Sequence, residues 1–457
     1  MPSTRVVIIG AGQAGLAVSH LLTAASIDHQ VLERGRTAER WRSQRWDSLR
    51  LLTPNWMSRL PGWSYRGPDP DGFMPTDEVA GYLAGYAASF DAPVREGTAV
   101  LSVRWQGGRH GGRHSGRNSG RHGGRSSGRH GGRSSGPHGG RFLVDTDAGS
   151  WVADAVVIAT GFCDEPAVPA VAAGLDPSIH QVTPDRYRNP SELPVGGVLV
   201  VGASATGVQI ADELAADGRQ VMLAVGRHSR LPRRYRGRDI MWWLDRLGVL
   251  DRPLDRDRVH RHPEPSLQIV GSGPDVRRHP REVDLPSLSG HGIRLGGRLV
   301  GLDGTRARFA DDLGVTAAAA DATLTRLLRR IDQHIAATGL ELTSPAPGRF
   351  RRLVVDDATA PDRLDLRAAG IRCVVWATGY RRSYPWLHVP VLDAAGEIRH
   401  TAGVTAAPGL VVVGQRWQTR RSSTFLDGVG HDAAIVVDHL LSTVLYGMPA
   451  ETVRNAS

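Results

Sequence analysis

Three glycines near the start of the chain have a spacing that suits phosphate binding. Gly10, Gly12 and Gly15 follow the apolar run Val6–Ile9 and precede a predicted helix over Leu16–Ala25. The first glycine of such a pattern permits a tight turn, the second lets the backbone approach a pyrophosphate, and the third lets helix and strand pack closely. The free N–H groups at the helix N-terminus then face the phosphates. The spacing therefore predicts a turn that binds a dinucleotide.

An acidic residue at the expected distance supports this prediction. Glu33 ends the next predicted strand, Gln30–Leu32, and lies 18 residues beyond Gly15. A carboxylate at this point accepts hydrogen bonds from ribose hydroxyls. The alternative is a glycine-rich turn followed by an exposed glutamate. The residues of this predicted site are Gly10, Gly12, Gln13, Ala14, Gly15, Glu33, Arg34 and Trp41.

The same pattern returns about 190 residues later, with a serine in place of the middle glycine. Gly202, Ser204 and Gly207 follow the run Val198–Val201 and open a predicted helix over Val208–Ala216. Ser204 is still small enough for a close phosphate approach, and its hydroxyl adds a hydrogen-bond donor. The chain therefore holds a second predicted dinucleotide turn.

An arginine follows the second turn roughly where Glu33 follows the first. Arg227 lies 20 residues beyond Gly207, just after the predicted strand Val221–Val225. Arginine in place of the acid removes the ribose acceptor and offers a guanidinium to a 2′-phosphate, which favours NADPH over NADH at the second turn. The first turn, which is followed by the acid, is then the predicted FAD site. A solvated arginine at a strand end is the alternative. The predicted second site contains Gly202, Ser204, Thr206, Gly207 and Arg227, with Arg233 and Arg234 as candidate helpers.

Two further predicted strands, Val156–Ile158 and Val374–Trp376, each end in Ala-Thr-Gly. Such small residues let the chain pass close to a bound cofactor. A last apolar run, Gly409–Val413, ends in another glycine and precedes a predicted helix that contains Asp432–Leu440. These ends add six candidate cofactor contacts, which are Thr160, Gly161, Thr378, Gly379, Gly414 and Gln415.

The elements that position these residues alternate between apolar strands and Ala-rich helices, which is typical of an α/β fold. Because the strand–turn–helix–strand pattern restarts, we expect two Rossmann-like dinucleotide-binding domains, an FAD domain with an inserted NADPH domain. The expected parts are 1–165 and 349–457 for the FAD domain and 166–348 for the NADPH domain. Five aliphatic residues at helical spacing also predict a core-facing helix within 317–336.

The formal charge of +10 comes mostly from one segment. All 56 basic residues are arginine, and eight lie in 107–141, a Gly/Arg/His/Ser-rich repeat without acidic residues. We expect a disordered hairpin tip there, between predicted strands Thr98–Trp105 and Phe142–Asp147. The rest of the chain has 48 basic and 46 acidic residues, so we expect no specific nucleic-acid partner.

Other classes of protein are disfavoured by simple features. No apolar run reaches the ~18 residues of a membrane span, and the N-terminus leaves no room for a signal peptide. Cys163 and Cys373 form no CxxC motif, which argues against a disulfide framework or a redox pair. No cluster has metal-ligand spacing. We therefore expect a cytoplasmic protein without a metal site.

With these motifs the chain resembles the flavin-containing monooxygenases, most closely their YUCCA-like and bacterial relatives. The resemblance includes both dinucleotide turns, their spacing, both Ala-Thr-Gly strands and the final GLVVVGQRW and GVGHDA motifs. It also includes the region that begins at Trp41, where RWDSLRLLTPNWMSRLPGW and FMPTDEVAGYLAGYAA look like the family's segment over the flavin.

The resemblance implies an NADPH-dependent, FAD-containing monooxygenase that forms a C4a-hydroperoxyflavin and oxygenates a small organic substrate. N- or S-oxygenation, Baeyer–Villiger oxidation and oxidative decarboxylation all remain open. Family members often place an asparagine over the flavin, and Asn55 is the candidate here, with a turn residue after Pro54 as the alternative. A family histidine and a following aromatic residue carry over to His180 and Tyr187, although the neighbouring motif positions differ.

The alternative function is an NAD(P)H-dependent flavin oxidoreductase or dehydrogenase without oxygen insertion. A disulfide reductase is disfavoured because neither cysteine has a partner at redox spacing. An RNA-binding or scaffold protein on an inactivated flavin fold is a third class, and two intact dinucleotide turns argue against it. The expected partners are O2 and a small-molecule substrate, with a homodimer left open.

Overall fold

The chain folds into a mixed α/β structure around two principal sheets. The computed structural model describes residues 1–107, 140–253, 267–269, 283–342, 350–355 and 361–445. The strands, in chain order, are β1 Ser3–Ile9, β2 His29–Leu32, β3 Arg59–Leu60, β4 Trp63–Ser64, β5 Val94–Arg95, β6 Val100–Gln106, β7 Arg141–Thr146, β8 Gly149–Ile158, β9 Glu165–Pro166, β10 His180–Val182, β11 Gly197–Val201, β12 Val221–Ala224, β13 Ser229–Leu231, β14 Arg234–Tyr235, β15 Arg238–Asp239, β16 Leu267–Ile269, β17 Arg294–Gly296, β18 Leu299–Asp303, β19 Arg306–Phe309, β20 Arg363–Asp365, β21 Ile371–Trp376, β22 Tyr380–Arg381, β23 His400–Thr401, β24 Val404–Thr405 and β25 Leu410–Val412.

Helices connect these strands and cover the sheets. The α-helices are α1 Gln13–Ala24, α2 Glu39–Ser43, α3 Thr76–Ala88, α4 Ala205–Ala216, α5 Ile240–Arg246, α6 Leu285–Gly290, α7 Leu313–Thr338 and α8 Val429–His439. Short 3₁₀ turns occur at Asn55–Met57, Ala170–Gly174 and Pro190–Glu192, and a π-helical turn covers Leu440–Leu445. Among the helices of the described ranges, none combines the length and hydropathy that a bilayer span needs.

The first sheet brings together the ends of the strands that carry the first predicted site. Within the described residues it has nine strands, with the path β23-β24-β25-β8-β1-β2-β5 and the β6–β7 hairpin joined to β8. β1 pairs in parallel with both neighbours, so that Ile9 lies opposite Leu32 and Ile158. Because parallel strands end at the same sheet edge, the residues that follow these three strands meet there.

The second sheet repeats this arrangement with five parallel strands in the order β10-β21-β11-β12-β17, counted over the described ranges. Val201 at the end of β11 lies opposite Ala224 on β12 and Trp376 on β21. The two-domain expectation therefore has a structural basis in two Rossmann-like sheets, each carrying one glycine-rich turn.

One part of the expected domain division needs correction. The sequence prediction places everything from residue 349 onward in the FAD domain, but β21 pairs with β10 and β11 inside the second sheet. β20 likewise pairs with β19 in the segment before it. The second unit therefore extends at least to Trp376, because strand pairing rather than chain order decides to which sheet a segment belongs.

Two other local predictions are confirmed. β6 and β7 form an antiparallel hairpin in which Gln106 lies opposite Arg141, so the repeat segment stands between paired strands. Residues 108–139 lie outside the described residues, so the disorder expected for them stays a prediction. The predicted helix is α7, whose Leu324 and Ile331 are buried.

A buried polar pair connects α1 to β2. Ser19 on α1 and His29 on β2 are both buried, and the Ser19 Oγ lies 2.8 Å from His29 Nε2. His29 Nδ1 lies 2.8 Å from the carbonyl oxygen of Ile27, so Nδ1 donates and Nε2 accepts from the serine hydroxyl. Burial lowers the pKa of His29, because a charged imidazolium would lose its hydration.

We expect this pair to make the fold sensitive to acid. The unfolded chain binds a proton at His29 near pH 6.5 and the folded chain only at lower pH, so the free energy of unfolding falls as pH drops below about 6.5. His29→Gln removes this titration. It should reduce the slope of the free energy of unfolding against pH by up to about 1.4 kcal/mol per pH unit. Urea unfolding at several pH values measures the slope. His180→Gln, at an exposed histidine, is the control, and an equal effect of both substitutions would refute the assignment.

Candidate dinucleotide sites and the cavity between them

The first glycine-rich turn is held by close backbone packing. A Cβ atom on Gly15 would lie closer than 3.0 Å to the Gly10 carbonyl oxygen, a separation that real Cβ atoms do not have. A Cβ on Gly10 would lie 2.7 Å from the carbonyl oxygen of Ala159, and Gly10 has a φ of +107°. These two glycines are therefore required by the protein's own packing.

Gly12 differs from its two neighbours in the motif. A Cβ atom there would meet no protein atom within 4 Å, although Gly12 is the residue before α1 and lines a cavity. Packing does not explain a glycine at this position. A ligand that approaches the backbone does explain it, and this is the role that the second glycine has in a dinucleotide turn.

Glu33 ties the turn to the strand that follows it. Its carboxylate accepts hydrogen bonds from the backbone N–H groups of Ala11, at 2.8 Å, and Gly35, at 2.9 Å. A carboxylate has about four acceptor positions, so two bonds leave capacity for ribose hydroxyls. Glu33 also lines the cavity, which places this remaining capacity where a nucleotide would need it.

A cavity of about 660 Å³ opens where the strands of the first sheet end. This volume lies within the ~300–1,000 Å³ that is usual for ligand and cofactor sites. The predicted site residues that line it are Gly10, Gly12, Gln13, Ala14, Glu33, Arg34, Trp41, Thr160, Gly161, Thr206 and Gly414. Thr206 belongs to the second turn, so both turns contribute to one cavity.

The second turn has the same internal packing as the first. A Cβ on Gly207 would lie inside 3.0 Å of the Gly202 carbonyl oxygen, and one on Gly202 would collide with the carbonyl oxygen of Ala377. The second Ala-Thr-Gly segment therefore lies against the second turn, as the first lies against the first turn. The Thr378 hydroxyl donates to the Ala167 carbonyl oxygen at 2.8 Å, and Gly379 has a φ of +91°.

Several predicted contacts lie away from the cavity lining. Of the described residues, Gly15, Gly202, Ser204, Gly207, Arg227, Thr378, Gly379 and Gln415 do not line it. Gln415 is buried beside it, and its side-chain oxygen accepts from the Arg382 guanidinium. The structure thus groups Thr160, Gly161 and Gly414 with the first turn, and Thr378 and Gly379 with the second.

The three arginines suggested for a 2′-phosphate have different surroundings. Arg227 is exposed just beyond β12 and forms no hydrogen bond or ion pair within the described part of the chain. Arg234 is also exposed. Arg233 is 2% exposed and forms an ion pair with Asp239, which argues against the suggested help in phosphate binding. A buried guanidinium in a closed ion pair is not accessible to a nucleotide.

The polar groups of Asn55 and Tyr187 form hydrogen bonds within the protein. The Asn55 side chain is buried, donates to the Asp69 carbonyl oxygen at 2.9 Å and accepts from the Met74 backbone N–H at 2.8 Å. Because both ends of its amide are used and it does not line the cavity, the geometry supports the turn role that the sequence left open. Tyr187 is buried and its hydroxyl donates to Glu213 at 2.7 Å, whereas His180 is exposed at the start of β10.

Cys163 is the cysteine that borders the cavity. Burial raises the pKa of its thiol, although the guanidinium groups of Arg45, Arg40 and Arg416 act in the opposite direction. A protonated thiol is a poor nucleophile. Both cysteines are free thiols, and among the described residues no group of three or more His, Cys, Asp or Glu side chains is placed to hold a metal ion.

The cavity also has lining residues outside the predicted dinucleotide sites. They come from the start of β6, from α5 and from the segments before α8 and around residue 386; examples are Thr98, Val100, Met241, Trp386, Thr424 and Phe425. One sequence-distant contact orders this region, because Gln13 Nε2 donates to the Thr424 carbonyl oxygen at 2.6 Å. No local spacing in the sequence signals such contacts.

Comparisons with known proteins agree with this architecture. A family model for pyridine nucleotide-disulphide oxidoreductases matches residues 136–243. The CzcO-like oxidoreductase of Geobacillus kaustophilus is 30% identical over 441 residues, which are 96% of this chain and 98% of the relative. The indole-3-pyruvate monooxygenase YUCCA4 of Oryza sativa is 36% identical over 102 residues, 22% of this chain and 23% of the relative.

The fold comparison reaches a solved structure. The flavin-containing monooxygenase from Stenotrophomonas maltophilia superposes with a TM-score of 0.60 at 18% identity, over 96% of this chain and 99% of that one. Two dinucleotide turns on two separate sheets, one shared cavity and a relative that matches over nearly its whole length lead to the same assignment. The chain is an oxidoreductase of the CzcO-like family, and its fold is that of the flavin-containing monooxygenases.

Proposed function

We propose that this protein is an NADPH-dependent, FAD-containing monooxygenase that oxygenates a small organic substrate. The observation that carries the proposal is the shared cavity, which Gly12 of the first turn and Thr206 of the second turn both line. Hydride transfer between two nucleotides requires both to reach one space. The names of relatives, including indole-3-pyruvate monooxygenase, support oxygen insertion rather than simple dehydrogenation.

The residues present fit FAD at the first turn. The open space at Gly12 suits a pyrophosphate, Glu33 retains acceptor capacity for a ribose, and Thr160, Gly161 and Gly414 line the same cavity. When bound, FAD supplies the two-electron chemistry that activates O2. The chain's own part is to bind and orient: Glu33 fixes the turn through two backbone N–H groups, and Gln13 fixes the loop at Thr424.

The proposed reaction balances with one NADPH and one O2 per substrate. NADPH contributes a hydride and the substrate contributes two electrons, so O2 is reduced by four electrons in total. One oxygen atom enters the substrate, and the other leaves as water after taking a proton from solvent. Burial raises the pKa of the Cys163 thiol, which disfavours the reactive thiolate.

The test of this function measures where the oxygen goes. FAD-loaded protein is supplied with NADPH, O2 and a panel containing a methyl sulfide, a tertiary amine and a cyclic ketone. We expect at least one substrate to yield an oxygenated product, with hydrogen peroxide below the NADPH consumed. Stoichiometric peroxide without product for every substrate would instead identify an oxidase or reductase without oxygen insertion.

The cofactor preference has its own prediction. Arg227→Ala removes the exposed guanidinium proposed to hold the 2′-phosphate, so we expect the KM for NADPH to rise by about 10- to 100-fold, as for a lost charge-assisted contact. The KM for NADH should change little, because NADH lacks this phosphate. Arg329→Ala, at an exposed arginine on α7 that lies outside the cavity lining, serves as the control. Equal increases for both nucleotides in Arg227→Ala would contradict the assignment.

A further inference from the structure

Three apolar side chains from distant segments form one side of the cavity. Leu52, Met241 and Phe425 all line the cavity and pack within one hydrophobic cluster. Leu52 lies in the segment before Asn55, Met241 is the second residue of α5, and Phe425 lies in the loop before α8. We call these three residues the apolar wall.

The apolar wall contains no ionisable group. Thr53, next to Leu52, also lines the cavity, and its hydroxyl forms no hydrogen bond within the described residues. Two arginines near Leu52 in sequence also line the cavity, and each donates to a backbone carbonyl oxygen: Arg45 to that of Gln44 at 2.7 Å, and Arg50 to that of Phe73 at 3.0 Å. A ligand against the wall therefore meets hydrocarbon, sulfur, an aromatic ring and one hydroxyl.

A buried arginine holds the Leu52 side of this wall. Arg233 is 2% exposed, and its Nη1 donates to the Leu52 carbonyl oxygen at 2.8 Å. Its guanidinium also lies 4.6 Å from the centroid of the Phe73 ring. Leu52 and Phe73 precede the second sheet in the chain and Arg233 follows its strand β12, so this contact crosses between the two units.

The same arginine is connected to the Met241 side. Its Nη2 forms an ion pair with Asp239, and Asp239 accepts a hydrogen bond from the Met241 backbone N–H at 2.8 Å as the N-cap of α5. The Arg233–Asp239 pair thus contacts the backbone on both sides of the wall. A buried ion pair with directional bonds to both sides restricts their separation more than hydrophobic contact alone.

We propose that the apolar wall is the substrate-binding side of the cavity and that it takes an uncharged, apolar molecule. We further assign Arg233 and Asp239 as positioning residues that set the separation of Leu52 and Met241. This inference rests on the proposed monooxygenase function. A carboxylate would lose hydration against the wall without gaining a partner there, which disfavours charged substrates.

The first experiment uses a matched pair of probes, thioanisole and its para-carboxylate derivative. Both carry the same methyl sulfide, and they differ in one charge. Binding to FAD-loaded protein without NADPH is followed by the change in visible flavin absorbance. We expect thioanisole to bind at least about tenfold more tightly, and Phe425→Ala to weaken its binding by about tenfold. Val300→Ala, at an exposed valine on β18, is the control. It should change neither the affinity for thioanisole nor its preference over the carboxylate derivative.

The outcomes separate this inference from the proposed function. If thioanisole binds as expected but yields no sulfoxide with NADPH and O2, the proposed function fails for this substrate while the substrate class stands. Equal or tighter binding of the carboxylate overturns the substrate class and points to Arg50 as an anion contact. No binding of either probe also overturns it.

The second experiment tests the positioning pair by selectivity. Thioanisole and the bulkier methyl naphthyl sulfide are compared in the wild type, Arg233→Lys, Arg233→Met and Asp239→Asn. Asp239→Asn retains an acceptor for Met241 and is the variant to use if Arg233→Met does not fold. We expect the ratio of kcat/KM for thioanisole to kcat/KM for methyl naphthyl sulfide to change by about tenfold in Arg233→Met and less in Arg233→Lys. FAD loading should be retained in both variants. An unchanged ratio in every folded variant would overturn the assignment.

Discussion

Gly12→Ala is expected to remove FAD binding and leave the fold as stable as before. A Cβ at this position meets no protein atom within 4 Å, and the Gly12 backbone has a φ of −85°, which alanine adopts readily. The added methyl group would occupy space beside the cavity where the turn approaches a pyrophosphate. We expect FAD affinity to fall by at least about 100-fold, or ~2.8 kcal/mol. Visible flavin absorbance after reconstitution measures loading, and urea unfolding of the FAD-free protein measures stability.

Two further glycine-to-alanine substitutions test whether the loss of FAD binding is specific to Gly12. Gly15→Ala should lower both FAD loading and stability, by about 3 kcal/mol or more, because its Cβ would overlap the Gly10 carbonyl oxygen. Gly81→Ala in α3 is the control, since it also adds a Cβ without protein neighbours but lies outside the cavity lining. If Gly12→Ala still loaded FAD as well as Gly81→Ala does, the first turn would not be the pyrophosphate site.

Gly207→Ala should impair the use of NADPH and leave FAD binding intact. Its Cβ would overlap the Gly202 carbonyl oxygen and press against Ala377, which disrupts the second turn. The first turn belongs to the other sheet, so the protein should still bind FAD. We expect NADPH-dependent flavin reduction to fall by at least about 100-fold, equivalent to ~2.8 kcal/mol of transition-state stabilisation. Chemical reduction with dithionite should remain normal.

The control for this substitution lies in the same unit. Gly290→Ala, at the end of α6, adds a Cβ with no protein atom within 4 Å and should leave NADPH-dependent reduction unchanged. Stopped-flow mixing with NADPH measures the reduction rate. Loss of FAD together with loss of reduction in Gly207→Ala would mean that the two turns do not act as separate nucleotide sites.

Much of the fold was predictable because its signals are local. β1, α1 and β2 around the first turn, and β11, α4 and β12 around the second, follow the predicted runs to within a few residues. Each such unit combines a strand, a tight turn and a helix that are adjacent in the chain, so residue type and spacing carry the information. The same holds for the helical spacing within α7 and for the hairpin around the repeat segment.

Other features depended on partners that are distant in sequence. β21 pairs with β10 and β11, not with the first sheet, and no pattern within β21 itself distinguishes these choices. Asn55 looked like a candidate for flavin chemistry, yet its amide is used by the carbonyl of Asp69 and the N–H of Met74. A side chain's free hydrogen-bonding capacity is known only when its neighbours are known.

Two arginines illustrate the difference between features that are local in the sequence and features that depend on distant partners. Residue types and their spacing predicted two dinucleotide turns, the acid after the first and Arg227 after the second, because each lies at a fixed distance along one local unit. The different burial of two arginines was not predictable in this way: Arg227 is exposed, whereas Arg233 is buried against Leu52 and Asp239. Burial and ion pairing arise from segments brought together across the two sheets, so two arginines six residues apart have different surroundings.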